Sequence, residues 1–222
     1  MAGVRVIHHH PGRMAEPNEH TQPAALRPVG EPEIVAIAAS TGGPGVIADI
    51  LKKLPPDWAL PILIVQHISP EFLGSMVDWL NTVSALPVSV AQPQDQPSPG
   101  RIYFAPGDAH LRMNRRRRFE CVAGGGPYVP SGDVLLESIA ASYGPRAVGI
   151  VLTGMGSDGA RGLKAMRDAG AHTIAQDAAT SIVFGMPREA AALGAANEVL
   201  PTQAIAARLL ALQANLRRQT HD

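Results

Sequence analysis

The sequence predicts an α/β fold, a doubly wound and mostly parallel sheet of the Rossmann-like kind with a small antiparallel hairpin excursion. Three observations predict it. Short runs that are apolar at every position recur along the chain, which suits strands buried on both faces of a parallel sheet. These runs tend to end in turns rich in Gly, Ser or Pro. Apolar residues at helical spacing then follow, giving a strand, turn, helix rhythm.

Residues 1–32 are rich in Pro, His, Glu and Asn and show no periodicity. They read as a flexible arm, leaving residues 33–222 as one domain. The adjacent His8, His9 and His10 are too short a run to assign to metal binding. Ile34 to Ala39 is the first buried strand, and Val46, Ile47, Ile50, Leu51 and Leu54 mark the helix after it. Pro61 to Gln66 is the second strand, ending at His67, with Phe72, Met76, Trp79, Leu80 and Val83 on the next helix. Residues 87–130 break the rhythm. Val88 to Ala91 and Arg101 to Ala105 read as strands, and Leu111 to Arg118 with Phe119 to Ala123 reads as a hairpin. This stretch is the expected antiparallel excursion. A helix over Val134 to Tyr143 restores the rhythm, followed by a strand over Ala147 to Leu152. Leu163, Met166 and Ala169 lie on a helix that stops at Gly170, and His172 to Gln176 is the next strand. A helix after Pro187, a short strand near Val199 and a last helix striped by Ile205, Leu209, Leu212 and Leu216 complete the chain.

Composition narrows the function classes. The 222 residues can bury a sizeable core, and 45% are hydrophobic. Lys plus Arg equals Asp plus Glu at 19 each, which argues against nucleic-acid binding as the main task. The single cysteine, Cys121, lies in a strand-like stretch and reads as a small buried hydrophobe. With no disulfide to form, the chain fits a reducing cytoplasm. No apolar run approaches the about 18 residues of a membrane span, and Met1 to Ile7 does not lead into a signal-peptide core.

In open α/β sheets, sites form outside the carboxyl ends of the strands. That rule selects the turns after Ala39, Gln66 and Leu152, which contain Ser40, His67 and Asp158. Ser40 opens a turn, Ser40-Thr41-Gly42-Gly43-Pro44, whose amides could stabilise an oxyanion at the start of a helix. It resembles a nucleophile elbow, although G-x-S-x-G is absent, and a plain N-capping serine is the other reading. His67 at the sheet rim could be the general base, or a hydrogen-bonded histidine without chemistry. His110 is the second candidate, and His172, at the other end of its strand, reads as structural. Asp158 could fix the tautomer of His67 or cap a helix. Arg115 to Arg118 read as a solvated hairpin tip, with docking to an acidic partner as the functional alternative.

A rival reading attaches to the third turn. Gly154-Met155-Gly156-Ser157-Asp158-Gly159 spells G-x-G-x-x-G between a strand and a helix, and Asp177 follows at the end of the next strand. That is the outline of a dinucleotide-binding fingerprint and hence of an oxidoreductase. Two points weigh against it: Asp158 would repel a pyrophosphate, and the fingerprint normally marks the first strand of its domain. The first turn lacks the lysine of a nucleotide-triphosphate loop.

Several motifs, in order, resemble the catalytic domain of the chemotaxis protein-glutamate methylesterase family from Ile34 to about Leu209. They are Ala38 to Pro44, Gln66-His67, Gly100 to His110, Pro130 to Leu135, Leu152 to Ala160, Ala175 to Asp177 and Phe184 to Pro187. The resemblance implies a serine hydrolase that cleaves γ-glutamyl methyl esters on the cytoplasmic helices of chemoreceptors and can deamidate selected glutamines. It implies Ser40, His67 and Asp158 as the triad and oxyanion or substrate contacts around Thr41, Gly42 and Met155. No metal or organic cofactor is implied, and the glycine-rich turn is accounted for without a dinucleotide. A non-catalytic module that binds receptor helices is a further alternative. The chain departs from the family in three ways. Residues 1–32 are too short for the usual phosphorylatable receiver domain, which points to a separate response regulator as a partner. Ile68-Ser69 stands where Met-Pro is usual. Gly132 and Leu136 stand where an apolar and an aromatic residue are common.

Overall fold

The computed structural model describes residues 31–219. Apart from Glu31 and Pro32, the arm expected over residues 1–32, with His8 to His10, lies outside the described residues. The strands are β1 (Ile34–Ala39), β2 (Ile62–Gln66), β3 (Val88–Val90), β4 (Ile102–Phe104), β5 (Ala109–Met113), β6 (Phe119–Ala123), β7 (Ala147–Val151), β8 (His172–Gln176) and β9 (Glu198–Leu200). The helices are α1 (Gly43–Leu51), α2 (Pro70–Val83), α3 (Gly132–Tyr143), α4 (Ala160–Asp168), α5 (Met186–Ala192) and α6 (Thr202–Gln219).

Seven strands form one parallel sheet in the order β3-β4-β2-β1-β7-β8-β9, and β5 and β6 pair separately and antiparallel. Every residue of β1, β2, β7 and β8 is buried, as their unbroken apolar runs require. Side-chain alternation splits the core in two. Val35, Ile37 and Ala39 pack with Ile47, Leu51, Leu80 and Leu209 of α1, α2 and α6. Ile34, Ala36 and Ala38 pack on the other face with Leu136, Ile139, Leu163 and Met166 of α3 and α4.

The segment 87–130 differs from expectation. β3 and β4 are not part of an antiparallel excursion; they extend the parallel sheet at its edge, with Val88 paired to Ile102 and Ile62 paired to Ile102 on the other side. All three residues of β4 are buried, so it fills an interior sheet position. The loop between β3 and β4 contains no helix, and short strands joined without a helix look like hairpins in sequence. The true hairpin is shorter than expected. β5 ends at Met113, and Asn114 to Arg118 is a turn in which Asn114 Oδ1 accepts the Arg116 and Arg118 amides. Leu111, Met113 and Phe119 bury the hairpin against the second core face. Within the arginine run, Arg117 is not simply solvated: it pairs with Glu33 at 2.5 Å and lies over the Tyr143 ring at 4.4 Å.

Candidate active site

The connection leaving β1 runs to β2 on one side, and the connection leaving its other neighbour, β7, runs to β8 on the opposite side. This is a topological switch point, where the loops diverge and leave a crevice at the carboxyl ends of the strands. Register fixes what meets there. Ala39 is opposite Gln66, so Ser40 and His67 follow as neighbours, and the His67 amide donates to the Ala39 carbonyl at 3.0 Å. On the other side the Ser40 amide donates to Thr153 O at 3.0 Å, bringing in the turn that holds Asp158.

Asp158 is the best-held side chain of the site. It is buried, with its Oδ2 2.8 Å from His67 Nε2. Ser131 Oγ donates to Oδ1 at 2.7 Å, and the amides of Gly132 and Asp133 donate to Oδ2 and Oδ1 at 2.6 and 3.1 Å. Those amides belong to the first turn of α3, where unpaired N–H groups and the helix dipole favour an anion. Burial alone pushes the Asp158 carboxyl up, but hydrogen bonds from His67, Ser131 and the two amides outweigh it and hold the group below the ordinary carboxylate range. Asp158 therefore does not cap its own helix: α4 begins after Gly159 without a side-chain cap, and Asp158 serves the start of α3 instead.

A carboxylate only accepts, so His67 Nε2 is the donor in their hydrogen bond. His67 stacks on Tyr128, with ring centroids 5.0 Å apart and planes 7° apart. Ser40 does not cap α1, whose N-cap is Gly42 in the left-handed region at φ 82° with no side-chain bond. No hydrogen bond joins Ser40 Oγ to the imidazole among the described residues; the two are brought together by register alone.

The turn after Ser40 differs in one detail from expectation. The Gly43 amide is occupied, donating to Ser40 O at 2.8 Å, and the Thr41 and Gly42 amides have no backbone acceptor among the described residues. Among the described residues the Met155 amide likewise has none, and Met155 is 69% exposed. Exposed Ile182 lies over Gly42, since a Cβ on Gly42 would come within 2.6 Å of it.

Residues beyond the predicted set complete the arrangement. Gln66 is buried and its Nε2 donates to both Ser40 O at 2.8 Å and His67 O at 3.0 Å, tying the two loops together. His110 Nδ1 accepts the Ser131 amide at 3.1 Å, so the second-choice histidine supports Asp158 indirectly. Ser131, Gly132 and Asp133 lie in the Pro130 to Leu135 motif, but nothing in its spacing places them against residue 158. His172 is buried at the start of β8, with Nε2 2.7 Å from Glu198 Oε1. Cys121 is half-buried in β6, and burial followed by the nearby Asp108 pushes its thiol up, away from thiolate chemistry.

The glycine-rich turn is explained by packing. A Cβ on Gly154 would lie 2.6 Å from Ser40 Cβ, so glycine there lets the two turns meet. Asp177 Oδ1 accepts the Thr180 amide and hydroxyl, a local turn bond. Among the described residues no group of three or more His, Cys, Asp or Glu could hold a metal ion, and no helix is long and apolar enough to cross a membrane.

Residues 35–209 match the family described as CheB methylesterase. A protein-glutamate methylesterase/protein-glutamine glutaminase of Burkholderia lata is 48% identical over 190 residues, covering 85% of this chain and 57% of that protein. The protein-glutamate methylesterase FrzG of Myxococcus xanthus is 48% identical over 179 residues, covering 80% of this chain and 54% of that protein. The crystal structure of the Thermotoga maritima CheB methylesterase catalytic domain superposes with a TM-score of 0.76 at 34% identity, covering 82% of this chain and 98% of that one. The chain spans little more than half the length of the curated relatives it matches. With the sheet order, the switch-point site and these similarities together, the chain belongs to the CheB methylesterase family.

Proposed function

We propose that this chain is a serine hydrolase that removes methyl groups from glutamate γ-methyl esters on chemoreceptors and deamidates selected receptor glutamines. One observation carries the reading: His67 lies beside Ser40 in the sheet register and 2.8 Å from the buried carboxylate of Asp158. In this reading Ser40 Oγ attacks the ester carbonyl as His67 Nδ1 takes its proton. Asp158 stabilises the imidazolium that results, and the amides around Thr41, Gly42 and Met155 hold the oxyanion. His67 then returns the proton to the departing methoxide, releasing methanol. Water, deprotonated by His67, then attacks the acyl carbonyl; the bond to Ser40 Oγ breaks, and His67 returns the proton to Ser40 as glutamate leaves. With a glutamine the leaving group is ammonia.

The substrate partner is the cytoplasmic helices of a methyl-accepting receptor. Residues 33–222 are the catalytic unit, acting in the cytoplasm, with a separate response regulator as a further partner. Support comes from the names of the relatives, protein-glutamate methylesterase/protein-glutamine glutaminase. Incubation with a methylated receptor cytoplasmic fragment tests the reading. Wild type should release methanol and Ser40→Ala should release none. No methanol from folded wild type on methylated fragments defeats it.

A further inference from the structure

Tyr128 lies outside the triad and outside the motifs that carry the family resemblance, yet its ring lies almost flat on the His67 imidazole, 5.0 Å between centroids and 7° between planes. Its hydroxyl reaches the glycine-rich turn. A Cβ on Gly156, which sits at φ 86°, would come within 2.5 Å of Tyr128 Oη. One half-buried side chain thus spans from the histidine to the turn that carries Asp158. It is delivered by an exposed stretch, Gly124-Gly125-Gly126-Pro127.

We propose that Tyr128 is a positioning residue for the base, a stacking platform that keeps the His67 ring on Asp158 and keeps water off their hydrogen bond. This rests on the reading of His67 as the base. Three physical points support it. The Nε2 to Oδ2 bond fixes the imidazole at one edge only, and a ring can still swing about that edge. A flat aromatic on one face removes that freedom. The site must also tolerate two charge states, because His67 alternates between neutral and protonated during the cycle. An aromatic face accepts both, stacking on imidazole and attracting imidazolium. Finally, a carboxylate–imidazole bond weakens as water reaches it, and the Tyr128 ring lies over the imidazole that makes that bond.

The test compares Tyr128→Ala with Tyr128→Phe by two readouts. The first is the downfield proton resonance of His67 Nε2–H, assigned by its loss in His67→Gln. The second is kcat and KM for methanol release from a methylated receptor fragment. Tyr128→Ala should broaden or abolish the resonance and lower kcat by on the order of tenfold to a hundredfold, with KM little changed. Tyr128→Phe should restore both. A folded Tyr128→Ala with a sharp resonance and wild-type kcat overturns the proposal. So does a Tyr128→Phe as impaired as Tyr128→Ala, which would move the role from the ring to the hydroxyl. If wild type releases no methanol, the functional reading fails while the resonance still decides the role of Tyr128.

Discussion

Asp158→Ala should cost far more stability than Ser40→Ala, although both remove a proposed catalytic group. The Asp158 carboxylate accepts from His67 Nε2 at 2.8 Å, Ser131 Oγ at 2.7 Å, Gly132 N at 2.6 Å and Asp133 N at 3.1 Å. Truncation orphans the hydroxyl and both amides at the buried start of α3, and each unmet buried donor costs about 1–3 kcal/mol. Water entering the space would recover part of that, so a net loss of about 3–5 kcal/mol is expected, as for removing one partner of a buried pair. Ser40 contributes only its backbone to the site's hydrogen bonds, and Ser40→Ala should stay within about 0.5 kcal/mol of wild type. Urea unfolding measures both, read as a shift in midpoint at constant m. An Asp158→Ala midpoint equal to that of wild type would refute the view that this carboxylate anchors α3.

Other expectations follow from the same contacts. A Cβ on Gly132 would lie 2.7 Å from Ala38 Cβ, so Gly132→Ala should overpack the core by about 1–3 kcal/mol. Ala38→Gly should rescue it, and strict additivity in a double-mutant thermal cycle would contradict this. Burial holds His172 below the ordinary histidine range, with Glu198 opposing and Arg208 adding to the shift. Because the folded-state value is depressed, the stability tied to neutral His172 is present above the ordinary value of about 6.5 and lost as pH falls below it. His172→Gln should flatten the dependence of the urea midpoint on pH in that window, and an unchanged slope would count against it. Gln66→Met keeps length but loses the amide that bridges Ser40 O and His67 O. Its kcat should fall by on the order of tenfold with KM maintained, and kinetic parity with wild type would remove Gln66 from the positioning role.

What the sequence made legible follows the physics of burial. Ile34 to Ala39 is apolar at every position because both faces of β1 are covered, and that pattern survives translation into sequence. The ends of such strands are therefore visible, and Ser40, His67 and Asp158 were found as polar residues in turns at these ends. The direction of β3 and β4 is not legible in the sequence, because a helix-free connection carries no sign of whether its strands run parallel. The holders of Asp158 were invisible for another reason: Ser131 and Asp158 are 27 residues apart, and no periodicity joins them. The stack of Tyr128 on His67 and the Gln66 bridge likewise depend on side-chain directions that composition and spacing do not encode.

The central claim is that Ser40 becomes covalently acylated. Rapid acid quench of the chain with a methylated receptor peptide, followed by digestion and mass spectrometry, tests it directly. A transient adduct, equal to the peptide less methanol, is expected on the fragment containing Ser40 and absent in Ser40→Ala. Methanol release by wild type with no adduct at any time, or with the adduct on another residue, would contradict it.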